Sequence, residues 1–168
     1  MNPMNPANPV NIPDDPQATL ATERLLPFLP QQIFDAFGDA EKLAQWWGPD
    51  GFTNTFETFE FRPGGRWVFT MHGPDGTDYP NENVFREIAP DAKIVLDHVP
   101  NPRFRLTITL TRVDHHTRLH WSQCFESADL MRRLRPICEP ANEQNLNRLE
   151  RVCAAALNPP VPNPNPNP

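Results

Sequence analysis

The chain has 168 residues, a formal net charge of −6 and a pI near 5.3. This length suits one domain, and the acidic balance disfavours a nucleic acid or an anionic membrane as partner, because both need a basic patch. The sequence has no apolar run long enough for a membrane span, no signal-peptide pattern at its start and three widely spaced cysteines, so we expect a cytoplasmic protein without membrane insertion.

The two ends of the chain differ in composition from the middle. Half of the 22 prolines lie in residues 1–16 and 158–168, together with many asparagines. These segments lack an apolar period and lose a backbone donor at every proline. We predict disordered Asn/Pro-rich tails at 1–16 and 158–168 and a single domain at 17–157.

The first predicted elements are a strand and two short helices. Weak alternation over residues 17–26 predicts an edge strand, and Pro30 suits the first turn of a helix that ends at Gly38. Asp39 can cap a second short helix, which Gly48 and the following proline stop. The two helices should close one edge of a sheet.

Two adjacent tryptophans directly precede Gly48, at the predicted end of the second helix. Trp46 and Trp47 cannot both point into one helix face, because neighbouring residues on a helix diverge. We therefore expect one of them to anchor the core and the other to face a cavity.

From residue 52 to 126 the apolar period changes to two. Five or six strands separated by turns follow one another with no helical run between them, which predicts an antiparallel meander. The same parity turns His98 toward the inside of the sheet. The other inward residues of interest are Trp67, Phe69, Met71, Trp121 and Gln123.

The last part of the chain predicts helices. Ser127 can cap a short helix, and Pro136 and Pro140 argue against an unbroken helix through that region. A longer helix is predicted at 141–157. Its stripe contains Asn142, Asn145, Leu146, Leu149, Val152, Cys153 and Ala156. This order predicts an α+β fold in which a curved antiparallel sheet wraps the last helix.

Several motifs in combination resemble a known family. Residues 34–49 end in Trp-Trp-Gly-Pro, residues 61–67 contain a Pro-Gly-Gly turn followed by tryptophan, and Glu87-Ile88 precede Pro90. With Leu146 and Leu149, the set is similar to the bacterial Hsp90-ATPase-activator-homologue-1-like (AHSA1-like) proteins of the START/Bet v 1-like (SRPBCC, polyketide cyclase) superfamily.

The resemblance implies the helix-grip fold, in which a hollow between the sheet and the C-terminal helix often holds an apolar ligand. One position departs from the family. Many relatives carry glycine followed by an aromatic residue near the start of the last helix, where this chain has Ala141-Asn142. A polar side chain there changes the lining of the hollow, so no ligand can be carried over from a relative.

We predict that the protein binds a small hydrophobic or aromatic ligand in this hollow, without catalysis and without a cofactor. The predicted apolar walls are Trp47, Trp67, Phe69, Met71, Trp121 and Leu149. The groups predicted to orient a polar part of the ligand are Gln123, Asn142 and Asn145, with His98 as a further candidate. Each aromatic residue taken alone is more often ordinary core, and it is their number that favours a cavity.

An enzyme of the cyclase/dehydratase kind is the first alternative, with His98 or Glu87 as general acid/base. An inward histidine is more often a satisfied core group than a base. Glu87, Arg86 and Asp97 could also form a polar end of the hollow, although cross-strand ion pairs are the commoner arrangement.

A chaperone-linked interaction module is the second alternative, suggested by the family's name, and the sequence also leaves a homodimer open. We expect no metal site. His116 and His120 are four residues apart, which in a strand separates them by roughly 13 Å.

Overall fold

The computed structural model describes residues 11–158. Within this range one antiparallel sheet has seven strands in the spatial order β1-β7-β6-β5-β4-β3-β2. The strands are β1 (Thr19–Leu26), β2 (Thr53–Phe59), β3 (Arg66–His72), β4 (Asp78–Ala89), β5 (Lys93–His98), β6 (Phe104–Val113) and β7 (His116–Phe125). Strands β2 to β7 pair in chain order, so the predicted meander is confirmed.

Three α-helices lie within the described residues: α1 (Pro30–Gly38), α2 (Ala40–Trp46) and α3 (Ala128–Leu157). Their starts follow the predicted signals. Pro30 occupies the first turn of α1, the Asp39 carboxylate accepts a hydrogen bond of 3.1 Å from the backbone N–H of Lys42, and Ser127 Oγ accepts one of 3.1 Å from that of Leu130. The predicted helix-grip arrangement, with two short helices after β1 and a long C-terminal helix, is confirmed.

The predicted break in the last helix is wrong. Helix α3 runs unbroken through Pro136 and Pro140, and the helix predicted at 141–157 is its C-terminal half. Each proline lacks the N–H that would bond four residues back. The two prolines are four residues apart on one exposed face, where water can satisfy the freed carbonyl groups, while Met131 on the opposite side is buried.

The inward face of the sheet, α1, α2 and the C-terminal half of α3 share the main hydrophobic core. A smaller, separate cluster lies under the N-terminal half of α3 and contains Leu20, Phe125 and Met131. Helix α3 is thus held by two unequal clusters, of which the larger packs against its C-terminal half.

The predicted tails fall mostly outside the described residues, at 1–10 and 159–168. The described stretch 11–16 lies against the outward face of the sheet. Ile12 there is only 8% exposed, and the carbonyl oxygen of Pro13 accepts a hydrogen bond of 3.0 Å from the Cys124 thiol on β7. The domain limits at 17 and 157 stay predictions. No helix in the described part of the chain is long and apolar enough to cross a membrane.

Candidate ligand-binding cavity

A cavity of about 240 Å³ lies between the inward face of the sheet, α3 and the loop that follows α2. Its lining residues come from all three. They are Trp47, Gly48, Pro49, Phe69, Met71, Asn81, Asn83, His98, Phe104, Leu106, Trp121, Gln123, Cys138, Ala141, Asn142 and Asn145. This set contains no aspartate, glutamate, lysine or arginine, so the wall is aromatic, aliphatic and amide in character.

The two adjacent tryptophans divide as predicted. Trp46 is fully buried, and its indole N–H donates a hydrogen bond of 2.8 Å to the carbonyl oxygen of Ala36 in α1. Trp47 lies at the cavity, with its ring centroid 4.9 Å from that of Trp67 and 6.0 Å from that of Trp121. Helix α2 ends between the two residues, so the backbone turns one ring into the core and the other toward the cavity.

Helix α3 holds the loop that forms this wall. The Arg148 guanidinium donates hydrogen bonds to five backbone carbonyl oxygens of the segment 45–52, at 2.8 to 3.2 Å. Burial lowers the pKa of Arg148, because it penalises the charged form. Asn145 adds a further contact, since its Oδ1 accepts a hydrogen bond of 2.6 Å from the backbone N–H of Gly48.

Gly48 also lies close to Met71 of the cavity wall. Its φ is +99°, and a Cβ at this position would lie 2.7 Å from the Cε of Met71, which lines the cavity. The left-handed backbone favours glycine here, and a larger side chain would displace the methionine methyl group.

The cavity wall contains five amide side chains. They belong to Asn81, Asn83, Gln123, Asn142 and Asn145. The Asn142 amide donates a hydrogen bond of 3.0 Å to Gln123 Oε1, which ties α3 to β7. Other polar atoms of wall residues are buried without a protein partner in the described part of the chain. These are Asn83 Oδ1, Asn145 Nδ2 and Trp121 Nε1.

His98 lines the cavity, as its strand parity predicts, but its ring is engaged. Nδ1 lies 2.8 Å from the carbonyl oxygen of Pro102, and Nε2 lies 2.7 Å from Oδ1 of Asn81. The neutral ring has a single N–H, so it donates to one of these two oxygens. The imidazole also stacks on Phe104 at a centroid distance of 4.6 Å. Burial lowers the pKa of His98, so the neutral ring is favoured.

Seven of the nine predicted lining residues line the cavity, namely Trp47, Phe69, Met71, Trp121, Gln123, Asn142 and Asn145. Trp67 and Leu149 are not among the residues that line it. Trp67 does face inward, but Phe69 stacks on it at 4.3 Å and covers it. Leu149 is fully buried in the main core, one turn of α3 beyond Asn145, where sheet and helix close together.

Glu87 is not among the residues that line the cavity. A register shift between Phe85 and Glu87 changes the parity of β4, and the Glu87 carboxylate pairs instead with Lys93 at 3.2 Å. Asp97, with a fully buried side chain, accepts hydrogen bonds of 2.7 Å from both Arg86 and Arg105. The commoner interpretation of this group, a cross-strand ion pair, is therefore confirmed.

Several wall residues were not predicted from the sequence, among them Asn81, Asn83 and Phe104. Strand β4 begins at Asp78, but Pro80 interrupts the alternating pattern by which its first residues could have been recognised in the sequence. Asn83 pairs across the sheet with Trp67 and with His98, and a longer strand would have predicted its inward side from parity.

The sequence of residues 28–154 matches the profile of the family described as Activator of Hsp90 ATPase homolog 1-like protein. No curated protein matches the sequence. Among solved structures, a protein from Nitrosomonas europaea has a TM-score of 0.79 at 17% identity, over 86% of this chain and 99% of its own. A protein from Arthrobacter aurescens reaches 0.77 at 23% identity, over 86% and 91%. A protein from Chromobacterium violaceum reaches 0.73 at 22% identity, over 80% and 96%. These likenesses show a shared fold.

Proposed function

We propose, from the premise that this chain belongs to the Activator of Hsp90 ATPase homolog 1-like family, that the protein binds a small apolar or aromatic ligand without turning it over. The observation that carries the proposal is the cavity between sheet and α3, with Trp47, Phe69 and Trp121 in its wall. Aromatic walls with a few polar groups are typical of small-molecule sites.

The size of the cavity limits the ligand. Pockets for drug-sized molecules measure about 300–1,000 Å³, whereas an apolar cavity of about 150 Å³ is large enough for benzene. The cavity here, at about 240 Å³, lies between these values. It supports a ligand of one or two rings, or an aliphatic chain of similar volume.

Binding without turnover is favoured by the state of the ionisable groups in the wall. Among the described residues these are His98 and Cys138. Burial lowers the pKa of His98 and raises that of Cys138, so both are neutral near pH 7. The His98 nitrogens are already engaged by Pro102 and Asn81, which leaves the ring poorly placed to exchange a proton with a ligand.

Native mass spectrometry of protein purified gently from its own host tests the proposal. We expect a reproducible small-molecule adduct on the wild-type chain. Ala141→Phe, which fills the cavity from α3, should lose the adduct and keep the fold. Ala154→Phe, an exposed position on the same helix, should keep it.

The native ligand can dissociate during purification, so the same three proteins are also titrated with one- and two-ring aromatic compounds, and binding is followed by protein NMR. Binding to the wild type and to Ala154→Phe, but not to Ala141→Phe, supports the proposal. An apo mass together with no binding of any compound would overturn it, and so would binding that survives Ala141→Phe unchanged.

A further inference from the structure

We infer that the ligand is an uncharged compound of one or two rings that carries a hydrogen-bond donor and a hydrogen-bond acceptor, as a lactam does. This inference rests on the proposed function and names the ligand's chemical class. It follows from two properties of the wall, which are its lack of charge and the concentration of unpaired polar atoms in it.

The absence of charge comes first. None of the residues that line the cavity is an aspartate, glutamate, lysine or arginine. An ion moved from water into such a site loses its hydration and finds no counter-charge, which makes its burial unfavourable. The wall therefore selects against carboxylates and ammonium groups.

Arg148 is a cation close to the cavity in the structure, because its guanidinium holds the loop that forms one wall. Its Nη1 donates to the carbonyl oxygens of Trp47, Gly48 and Pro49, and its Nη2 donates to those of Gln45 and Phe52. Both terminal nitrogens are thus committed to the backbone, and Arg148 is not among the lining residues. It offers no site for a ligand anion inside the cavity.

The second property of the wall is its concentration of unpaired polar atoms. Six buried side-chain polar atoms lack a protein partner in the described part of the chain, and half of them belong to lining residues of this one cavity. Asn83 contributes an acceptor, while Asn145 and Trp121 contribute donors. Unpaired buried polar atoms are rare in native proteins, and their concentration here indicates that a ligand pairs with them.

The two kinds of unpaired atom set the chemistry of that ligand. Asn83 Oδ1 requires a donor, and the Asn145 amide or the Trp121 indole N–H requires an acceptor. A hydrocarbon satisfies neither, and a carboxylate supplies acceptors but brings a charge. A neutral lactam or a similar ring compound, with N–H and C=O groups next to each other, meets both requirements and still fills an aromatic cavity.

Three probes with the same two fused six-membered rings separate these possibilities. They are 2-quinolinone, a neutral lactam; naphthalene, a neutral hydrocarbon; and 2-naphthoate, an anion near pH 7. Each is titrated into the full-length protein, and the side-chain amide and indole NMR signals are followed. We expect 2-quinolinone to bind at least tenfold more tightly than naphthalene, and 2-naphthoate to bind more weakly than either.

Asn83→Leu tests the polar part of the inference directly. The change removes the unpaired Oδ1 of Asn83 and keeps the approximate size of the side chain. We expect the affinity for 2-quinolinone to fall at least tenfold, while that for naphthalene changes less than threefold, and the melting temperature of the free protein to rise. Asn147→Leu, at an exposed position on α3, should leave both affinities unchanged. Trp121→Phe, which removes an indole N–H and keeps an aromatic ring, is a second test should Asn83→Leu fail to fold.

The outcomes separate the inference from the proposed function. If naphthalene binds as tightly as 2-quinolinone, or if 2-naphthoate binds best, the ligand class is wrong and the binding function stands. If Asn83→Leu and Trp121→Phe both leave the preference for 2-quinolinone unchanged, the assigned polar atoms are wrong. If none of the three probes binds and the purified protein carries no adduct, the proposed function fails and the inference with it.

Discussion

The side-chain Oδ1 of Asn145 accepts a hydrogen bond of 2.6 Å from the backbone N–H of Gly48, 97 residues away in the chain. The bond joins α3 to the loop that follows α2, and both elements contribute to the cavity wall. Because this side of the amide is committed to the backbone, its Nδ2 remains without a protein partner among the described residues. One side chain thus joins two elements of the wall and keeps an unpaired buried amide nitrogen.

The first prediction concerns this bond. Asn145→Ala leaves the buried N–H of Gly48 without a partner, and an unsatisfied buried donor costs about 1–3 kcal/mol. We expect the free energy of unfolding, measured in urea, to fall by that amount. Arg133→Ala, at an exposed position of the same helix, should change it by less than about 0.5 kcal/mol. Equal effects at both positions would contradict a specific role for the bond.

The second prediction concerns Arg148. Lysine at this position keeps the charge but has one amino nitrogen in place of the two terminal guanidinium nitrogens, so it cannot serve five carbonyl oxygens spread over residues 45–52. We expect Arg148→Lys to lower the free energy of unfolding by about 2–3 kcal/mol, the range for hydrogen bonds to a charged group. Arg151→Lys is the control, because Arg151 is 71% exposed and lies 3.8 Å from Asp50.

Hydrogen exchange gives an independent measurement for Arg148→Lys. The backbone N–H of Phe52 bonds to the carbonyl oxygen of Pro49 within the loop. We expect both this amide and that of Gly48 to exchange faster in the variant, because the loop opens locally when the guanidinium no longer holds it. Unchanged protection of both amides would show that the loop is held by other contacts.

The third prediction separates backbone strain from cavity shape. Gly48 and Gly76 both have positive φ, at 99° and 85°, but a Cβ at Gly76 would meet nothing within 4 Å. We expect Gly48→Ala and Gly76→Ala to lower the free energy of unfolding similarly, by about 1–3 kcal/mol. Only Gly48→Ala should also weaken binding of 2-quinolinone and naphthalene, because the new methyl group pushes Met71 Cε toward the cavity. Equal binding by both variants would exclude this contact as a determinant of cavity shape.

The fourth prediction concerns pH. Burial lowers the pKa of His98 below its unfolded value of 6.5, so near and below pH 6.5 the unfolded chain binds more protons than the folded chain. Stability from the neutral ring is therefore present above pH 6.5 and is lost as the pH falls, with a slope of up to about 1.4 kcal/mol per pH unit. Unfolding in urea at pH 7.5 and 5.5 measures it.

A variant and a control test the assignment to His98. His98→Gln should remove this difference between pH 7.5 and 5.5, whereas His115→Gln, at an exposed turn position, should keep it. The pKa values of the carboxylates Glu60, Asp75 and Glu143 are lowered from their ordinary values of 3.8 to 4.5, so their contribution to stability is lost at lower pH. A pH dependence that persists in His98→Gln would assign it to another group.

The fifth prediction concerns the prolines of α3. Pro136 lies inside the helix at an exposed position, where proline removes a backbone hydrogen bond at a cost of about 3 kcal/mol. We expect Pro136→Ala to raise the free energy of unfolding by about 1–2 kcal/mol after the greater freedom of the unfolded chain is counted. Pro30→Ala at the start of α1 should lower it by about 0.4–1 kcal/mol. The same sign for both changes would contradict this explanation.

Local signals in the sequence determined most of the secondary structure. Alternation along 52–126 predicts the meander, because successive side chains of a strand point to opposite faces. Asp39 and Ser127 predict helix starts, because their short side chains accept from free backbone N–H groups. The pair Trp46 and Trp47 predicts one core residue and one wall residue from the angle between neighbouring positions. Each of these is a property of a few adjacent residues, so it can be inferred without the rest of the chain.

The tertiary structure alone decided which inward residues meet the cavity. Trp67 and Asn83 are cross-strand partners on the same face, yet Phe69 covers Trp67, while Asn83 reaches the wall. Leu149 has the same helical phase as Asn145 but lies where sheet and helix are in full contact. Periodicity reports the direction of a side chain and not the distance to the opposite layer, which depends on how far apart sheet and helix are held at each turn. The register shift that turned Glu87 away, and the five carbonyl groups gathered around Arg148, depend likewise on residues distant in the chain.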